Sequence, residues 1–281
     1  MKIWQTTRFA IELGRPRVMG IVNVTPDSFS DGGEHADAAN AMAHCEVLLR
    51  EGADILDIGG ESTRPGARTP SVDEELQRVL PVLRHAVTLG APVSVDTSRP
   101  EVMRAALDLG VDIVNDVRAL QRDGALDVLA AHELAGICLM HMQGEPGTMQ
   151  STPQYGDVIA DVRGFLLART AALRACGIAM NRIVLDPGIG FGKTVEHNLA
   201  LLAGQAELLV LGQPLLVGWS RKSSLGAITG RPVDQRVTAS VAAALMAVER
   251  GARIVRVHDV ATTVDALKIW QAVQQQEREE T

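Results

Sequence analysis

Short apolar runs, rich in valine and isoleucine, recur along the whole sequence. Each run ends in a polar or glycine-containing turn and is followed by a longer stretch with the period of a helix. The runs are almost continuously apolar, which predicts strands covered on both faces, as in a parallel sheet with crossover helices. The predicted strands are residues 18–22, 53–58, 92–95, 112–115, 136–140, 182–185, 214–218 and 253–257.

Helix signals separate these runs. Ser71 stands three residues before Glu74 and Ser98 three before Glu101, so both serines are predicted to cap the start of a helix. Glycines that follow helical stretches are typical of helix ends, and they occur at Gly52, Gly90, Gly110, Gly177 and Gly251. The predicted helices are residues 36–51, 72–89, 100–109, 124–133, 157–176, 197–209, 233–250 and 260–276.

Eight strands, each followed by a helix, predict the α/β class and a closed (β/α)8 TIM barrel. An open doubly wound sheet of eight strands is the alternative that the pattern leaves open. Residues 1–17 precede the first of these strands and are predicted to form a short hairpin over the bottom, or N-terminal end, of the barrel. No stretch rich in proline, glycine or serine divides the chain, so residues 1–281 are predicted to form a single domain.

Composition narrows the class of partner. The chain of 281 residues has a formal net charge of −7 and no block of basic residues, which argues against nucleic-acid binding, since phosphate affinity comes from clustered Lys and Arg. No apolar run approaches a membrane span, and no apolar leader opens the sequence. Cys45, Cys138 and Cys176 form no CxxC motif and are predicted to be reduced, buried thiols. These features predict a cytoplasmic location and no nucleic-acid or membrane partner.

Polar residues close every predicted strand. In a parallel barrel the chemistry lies at the C-terminal strand ends, which meet at one mouth. At a single strand such a residue often only caps the next helix, but its occurrence at all eight strands favours a shared site. The residues are Asn23, Asp57, Asp96, Asn115, Asp116, His141, Asp186, Ser220, Arg221, Lys222, Arg256 and His258.

The residue types at these ends point to two kinds of ligand group. Asp96, Asn115 and Asp186 offer acceptors and an amide donor, which suit a flat heterocycle that presents N–H donors beside a carbonyl.

The last two strands end in cationic groups. Lys222, Arg256 and His258 are predicted to supply positive charge where barrels frequently bind phosphate. Asn23 offers a hard oxygen, and Asp27 and Asp31 follow in its loop. Magnesium held by one or two protein oxygens and by a substrate phosphate fits this pattern.

Several familiar motifs are absent. The segment 186–194 ends like a phosphate-binding P-loop, but Pro187 stands where the first glycine is required. Gly188, Gly190 and Gly192 alternate and so miss the spacing of a dinucleotide-binding loop. Zinc-hydrolase and serine-hydrolase signatures are lacking, and no catalytic nucleophile is evident.

Eight segments, in order, resemble the dihydropteroate synthase family over essentially the whole sequence. They are MGIVNVTPDSFSDGG (19–33), DILDIGGESTRPGA (54–67), VSVDTSRPEV (93–102), IVNDV (113–117), MHMQGEPGTMQ (140–150), LDPGIGFGKTVEHN (185–198), LLVGWSRKSSLG (215–226) and RVHDV (256–260). The resemblance implies an enzyme that joins 6-hydroxymethyl-7,8-dihydropterin diphosphate to p-aminobenzoate in folate biosynthesis. The products are 7,8-dihydropteroate and diphosphate.

The resemblance also implies roles for individual residues. The pterin is expected to contact Asp96, Asn115, Asp186, Lys222, Met140 and Phe191. The diphosphate is expected to contact Arg256 and His258, together with Mg²⁺ held by Asn23. The p-aminobenzoate pocket is expected to use Phe29, Ser62, Thr63, Arg64, Pro65 and Ser220, and Arg64 is equally consistent with a solvated loop charge. The family further implies a homodimer formed by late helices.

The implied chemistry needs no covalent nucleophile. A diphosphate on a CH₂ group beside an electron-rich reduced pterin departs early, because the ring nitrogens delocalise the cation. An SN1-like path then asks the protein to neutralise the leaving group and to stabilise the cation with carboxylates such as Asp96 and Asp186. Sulfonamides resemble p-aminobenzoate and are expected to compete with it.

Two other functions are consistent with the barrel: a pterin- or folate-binding module without synthase activity, and a phosphate-sugar isomerase. The two loop segments NVTPDSFSDGG and ESTRPGA favour the synthase, since a mere pterin binder needs neither. The isomerase leaves the carboxylates of the middle strands unexplained. Departures from the family pattern are Trp219 and Gly147, which concern the edge of the pocket.

Other residues are predicted to be structural. Asp57 is expected to orient the second loop, and His141 to lie outside the site. Lys193 and Arg221 are interpreted as surface charges. Core packing is expected for Met42, Met103, Met180 and Met246.

Overall fold

The strands in a computed structural model of the chain follow the predicted apolar runs. The structure describes residues 2–24, 33–61, 68–145 and 147–279. Within these residues, a hairpin precedes a barrel. The hairpin strands are β1 (Ile3–Gln5) and β2 (Ala10–Glu12). The barrel strands are β3 (Arg17–Asn23), β4 (Ile55–Gly59), β5 (Val93–Asp96), β6 (Ile113–Asp116), β7 (Gly136–Met140), β8 (Ile183–Asp186), β9 (Leu215–Val217) and β10 (Ala252–Val257).

Parallel pairing of β10 with β3 closes the barrel. The strand order is β10-β3-β4-β5-β6-β7-β8-β9, and each neighbouring pair is parallel. The (β/α)8 TIM barrel is therefore confirmed, and the open doubly wound sheet is wrong. The central strands β4, β6, β7 and β8 are buried at every position, which explains their lack of polar alternation.

Helices cover the outside of the barrel. Ser71 caps α2 with a full capping box, in which its side chain accepts from the Glu74 N–H. The helices described are α1 (Gly33–Arg50), α2 (Val72–Ala86), α3 (Pro100–Asp108), α4 (Ala125–Ala131), α5 (Val158–Ala175), α6 (Val195–Ala203), α7 (Ser223–Thr229), α8 (Val237–Glu249) and α9 (Val260–Glu279). No helix in the described ranges is long and apolar enough to cross a membrane.

Two predicted helices are divided in the structure. The stretch 197–209 is interrupted at Gly204, where an added Cβ would lie 2.2 Å from Ile159 Cδ1, and it continues as a 3₁₀ helix at Gln205–Leu211. The stretch 233–250 begins as a 3₁₀ turn at Val233–Gln235, and α8 starts only at Val237. Helix α7 was not predicted.

The Ser98 cap is also wrong. Arg99 occupies the N-cap position of α3, and no side chain caps it. Ser98 instead donates its hydroxyl to Asp116 Oδ1. Pro100 opens the helix and needs no N–H partner there, so the helix begins without the serine.

The hairpin lies over the N-terminal end of the barrel, as predicted. Trp4 is fully buried, and its indole Nε1 donates to the Arg182 carbonyl at 2.8 Å, just before β8. Trp4 packs on an inward-facing set of barrel side chains, called here the apolar layer. The apolar layer consists of Met19, Ile55, Ile113, Cys138, Val184, Leu216 and Ile254.

Two predictions about burial need correction. Cys45 and Cys138 are buried, but Cys176 is exposed at the C-terminus of α5. Met103 is buried, whereas Met246 is 42% exposed on α8 and so is not part of the core.

Candidate active site

A ring of polar side chains lies directly above the apolar layer, on the C-terminal side of the barrel. Side chains two residues apart on a strand point the same way. Asp57, Asn115, Asp186 and Arg256 each follow a member of the apolar layer by two positions, and Asp96 pairs in register with Asn115. We call these five residues the polar ring. The strand period thus brings together groups that lie far apart in the sequence.

Arg256 joins two carboxylates of the polar ring. Its Nε donates to Asp57 Oδ2 at 2.6 Å, and its Nη2 donates to Asp96 Oδ2 at 2.7 Å. Burial alone would oppose the charge, but Asp57 and Asp96 outweigh it and raise the pKa of Arg256. The guanidinium is therefore a permanent cation in the pocket.

Asp57 is bonded to two other members of the polar ring. It is fully buried and accepts from Asn115 Nδ2 at 3.2 Å as well as from Arg256. The expected role in orienting the second loop has no contact to support it in the described residues, because the loop segment 62–67 lies outside them. Asp57 therefore belongs to the polar ring, and its role in orienting the second loop stays a prediction.

The other two carboxylates of the ring resist ionisation. Burial raises the pKa of Asp96 to about 7, against the opposing effect of Arg256. Burial also raises the pKa of Asp186, although its Oδ1 accepts the Gly188 N–H at 2.7 Å. A cationic ligand would stabilise the ionised form of both groups.

Lys222 lies over the face of the Phe191 ring, with Nζ 4.1 Å from the ring centroid. Burial lowers the pKa of Lys222 to about 8, and Asp186 counteracts this effect. Gly190 leaves room for the lysine stem, since an added Cβ would lie 2.9 Å from Lys222 Cδ. Met140, at the end of β7, is buried beside the same glycine-rich turn and pairs in register with Asp186.

Lys193 was interpreted as a surface charge, and the structure contradicts this. Its side chain is buried, and Nζ donates to the carbonyls of Gly188 and Phe191 at 2.9 and 3.0 Å. Nζ also lies 2.9 Å from His141 Nδ1. Burial lowers the pKa of Lys193 to about 7, and burial together with Lys193 lowers the pKa of His141 to about 3. The pair holds the turn that carries Phe191, and His141 itself stays outside the polar ring.

His258 was expected to carry positive charge, and its surroundings oppose this. Burial, Arg256 and Arg221 lower the pKa of His258 to about 3, so the imidazole is neutral. Ser220 Oγ accepts the His258 backbone N–H at 3.1 Å and lies 3.0 Å from Nδ1. We assign the hydroxyl proton to this contact, which leaves the imidazole proton on Nε2 as a donor. Ser220 thus holds His258.

Arg221 pairs with Asp259 at 2.6 Å and is partly buried, so it is more than a solvated charge. Its φ of +58° places the residue before Lys222 in the left-handed region. The Asp259 contact secures this unusual backbone next to Lys222.

Asn23 ends β3 beside Gly59 and is partly exposed at the barrel mouth. No group of three or more His, Cys, Asp or Glu side chains suited to a metal occurs within the described ranges. The remaining predicted residues lie outside the residues that the structure describes: Phe29, Ser62, Thr63, Arg64 and Pro65, with Asp27 and Asp31 of the proposed metal loop.

Comparisons with known proteins show which family the chain resembles. Residues 19–258 match the family described as pterin binding enzyme. A curated dihydropteroate synthase from Neisseria meningitidis serogroup B is 56% identical over 277 residues, which cover 96% of this chain and 97% of the relative.

Solved structures show the same similarity. Dihydropteroate synthase from Xanthomonas albilineans, solved with 4-aminobenzoic acid, has a TM-score of 0.89 and 53% identity, and 95% of each chain is covered. The Burkholderia cenocepacia enzyme, solved with 7,8-dihydropteroate, has a TM-score of 0.90 and 49% identity, covering 99% of this chain and 98% of that one. The chain therefore belongs to the pterin binding enzyme family, and within it to the dihydropteroate synthases.

Proposed function

We propose that the chain condenses 6-hydroxymethyl-7,8-dihydropterin diphosphate with p-aminobenzoate, giving 7,8-dihydropteroate and diphosphate. One observation carries the proposal: carboxylates of the middle strands and the cation of the last strand meet in one pocket, with Asp96 2.7 Å from Arg256. Near full-length similarity to synthases supports the same reaction. The similarity also favours a synthase over a pterin-binding module.

The pterin fits the acceptor side of the polar ring. Asp96 and Asp186 can accept from the ring N–H and amino groups, and Asn115 can exchange both donor and acceptor bonds with a heterocycle. Phe191 and Met140 supply apolar contact beside the ring, and Lys222 supplies a donor for its carbonyl oxygen or ring nitrogen. All six side chains lie at the C-terminal ends of their strands or in the turns that follow.

The diphosphate fits the cationic side. Arg256 is charged at every working pH, and its Nη1 has no bonded partner within the described part of the chain. His258 can donate its Nε2–H to a phosphate oxygen without being charged. A bound dianionic group would raise the pKa of this imidazole, so a proton could follow the leaving group.

Loss of the diphosphate before bond formation is the path that this arrangement favours. The ionised carboxylates of Asp96 and Asp186 stabilise the positive charge that develops on the pterin. Arg256 stabilises the negative charge on the other side. The amine of p-aminobenzoate then attacks the CH₂ group and loses one proton to the released diphosphate or to solvent, and no protein nucleophile takes part.

Magnesium is the proposed metal, and one residue of the described chain, Asn23, fits it as a ligand. Mg²⁺ is usually bound by one or two protein oxygens together with substrate phosphates and waters, so the single amide oxygen of Asn23 at the mouth is a suitable donor. When bound, the ion would neutralise charge on the leaving diphosphate. Arg256 provides the protein's own charge for that leaving group.

The p-aminobenzoate pocket is proposed to use Phe29 and the segment 62–65, which lie outside the described residues. Ser220 was expected near the carboxylate of this substrate. Its bonds to His258 support an additional role in holding that imidazole.

A homodimer is also proposed. Helices α8 and α9 pack on each other and leave apolar side chains exposed, at Met246 (42%), Ile269 (70%) and Val273 (51%). Light scattering on the purified protein would give the mass of a dimer, and a monomer at micromolar concentration would contradict the proposal.

One assay tests the function. Diphosphate release should require both the pterin diphosphate and p-aminobenzoate, and product should appear in equal amount. Release with the pterin diphosphate alone would indicate a hydrolase, and binding without release would indicate a pterin-binding module. Sulfonamides should raise the KM for p-aminobenzoate without changing kcat.

A further inference from the structure

Arg256 divides one edge of its guanidinium between two carboxylates. Nε and Nη2 form the side-on edge that can bind one carboxylate with two parallel bonds. Here Nε donates to Asp57 Oδ2 and Nη2 to Asp96 Oδ2. Asp57 Oδ1 is buried and has no hydrogen-bond partner in the described residues. The arrangement leaves a carboxylate oxygen unsatisfied next to the arginine that could bind it.

The two carboxylates differ in access. The Asp57 side chain is fully buried and is also bonded to Asn115, whereas the Asp96 side chain keeps 18% exposure. A ligand entering from the mouth therefore reaches Asp96. An N–H donor of that ligand competes with Arg256 Nη2 for the Asp96 carboxylate.

We infer that Asp57 is a positioning residue that takes the whole side-on edge of Arg256 when the pterin takes Asp96. This inference rests on the proposed function of the pocket. Arg256 Nε keeps Oδ2, and Nη2 moves to the unsatisfied Oδ1. The bond lost at Asp96 is thus replaced at Asp57, and Nη1 with the second Nη2 hydrogen is presented to the diphosphate.

The same chain contains an example of the proposed pairing. At the opposite end of the barrel, Arg8 binds the fully buried Asp112 with Nε at 3.1 Å from Oδ1 and Nη2 at 2.6 Å from Oδ2. This pair also gives a matched control, since it joins a fully buried aspartate to an arginine remote from the polar ring.

Pterin binding and diphosphate binding should consequently favour each other. Once the pterin occupies Asp96, Arg256 pairs with one carboxylate in place of two and attracts the anion more strongly. By linkage, the anion must strengthen pterin binding by the same factor. A purely structural Asp57 would produce no such coupling.

The coupling can be measured on the unmodified protein. Inorganic diphosphate is titrated calorimetrically at constant Mg²⁺, with and without saturating pterin that carries hydrogen at position 6. The Kd for diphosphate should fall on the order of tenfold when pterin is present. An unchanged Kd overturns the inference, and this measurement needs no variant to fold.

Asp57→Asn tests the residue itself. The folded variant, checked by circular dichroism, should lose the coupling, so that pterin changes the diphosphate Kd by less than about twofold. Asp112→Asn should keep the wild-type coupling even if its Tm is lower. Full coupling in folded Asp57→Asn, or equal loss of coupling in Asp112→Asn, overturns the inference.

A double-mutant cycle tests whether Asp57 acts through Arg256. In the Arg256→Gln background, Asp57→Asn should have no further effect on diphosphate affinity. An equal loss in both backgrounds would assign Asp57 a direct contact and overturn the positioning role. The protein could show coupled binding of pterin and diphosphate and yet release no diphosphate from the substrate. That result would contradict the proposed function but not the inference about Asp57.

Discussion

Lys222 and Asp186 contribute opposite charges to the same site, and neither side chain forms an ion pair within the described residues. Lys222 Nζ rests on the Phe191 ring and makes no ion pair in the described part of the chain. Charged groups in such sites are placed for a ligand more often than for stability.

Lys222→Ala and Asp186→Asn should therefore abolish condensation without unfolding the protein. Loss of one group that stabilises developing charge lowers kcat/KM by about 100-fold or more. Diphosphate release measures the loss, and circular dichroism verifies the fold. Lys268→Ala, an exposed pair with Asp265 on α9, serves as the control and should keep full activity. Full activity in either site variant contradicts the pterin contacts.

The pH profile of kcat/KM should be bell-shaped. Burial raises the pKa of Asp96 to about 7 and lowers that of Lys222 to about 8. Asp96 gains a proton below its pKa and Lys222 loses one above its own, so activity falls on both sides. Lys222→Arg stays charged and should retain only the acid limb. If kcat/KM of Lys222→Arg still falls at alkaline pH, near the same pH as in the unmodified protein, Lys222 is not the group whose titration causes the fall.

Asn23→Ala should raise the Mg²⁺ concentration needed for half-maximal activity by about tenfold, because one oxygen ligand is lost. The measurement is a metal titration at saturating substrates. Asn23→Asp keeps an oxygen and should restore or improve the response. An unchanged titration in Asn23→Ala excludes Asn23 as a ligand.

Sequence reasoning found most residues of the polar ring because polar side chains at strand ends stand out against apolar runs. Asp57 was recognised at its strand end but was given a supporting role, since its partner Arg256 lies 199 positions away. The period-two relation to Ile55 was the available signal. Lys193 was missed because a lysine in a glycine-rich turn looks solvated, and only tertiary contacts bury it.

At the scale of elements, the turn between β8 and α6 determines the shape of the site. Gly188 has a φ of +70°, and an added Cβ would lie 1.8 Å from the His141 carbonyl oxygen. The same residue donates its N–H to Asp186. The turn therefore couples the backbone of β7 to a site carboxylate.

Gly188→Ala should lower both stability and activity. Gly177 has a φ of +80° with nothing within 4 Å of an added Cβ, so Gly177→Ala is the matched control. The control should cost about 1–2 kcal/mol from left-handed strain alone. Gly188→Ala should cost at least about 2 kcal/mol more, because the methyl group collides with backbone. Urea unfolding measures both, and equal costs would contradict the close approach.

Strands were easier to predict than helices. Each barrel strand lies within a few residues of its predicted bounds. A strand that is buried on both faces is almost continuously apolar, and this local pattern can be read from the sequence. Helix α7 was missed because SSLGAIT is short, contains a glycine and lacks a side-chain cap, so tertiary contacts form it.

At the scale of the whole molecule, the N-terminal hairpin covers the N-terminal end of the barrel. Trp4 is fully buried against the apolar layer, and its indole donates to Arg182. That residues 1–281 form one domain in the cytoplasm stays a prediction.

Trp4→Ala should lower the free energy of unfolding by about 3–5 kcal/mol, as expected for removal of a fully buried aromatic side chain. Trp4→Phe keeps much of the packing and loses the indole hydrogen bond, so it should lose less. Urea unfolding gives both values. Activity well below the melting temperature should survive in both variants, because the site lies at the other end of the barrel. If Trp4→Ala lowers the free energy of unfolding by less than about 1 kcal/mol, Trp4 does not stabilise the lower end of the barrel as described.

The closed lower end of the barrel, beneath the polar ring, affects how ligands enter and leave. Trp4 and the apolar layer close the lower end of the barrel, so a ligand bound at Asp96 and Asn115 can enter and leave only through the mouth. We therefore expect the pterin substrate to bind before p-aminobenzoate. The finished conjugate must likewise back out before another turnover can start.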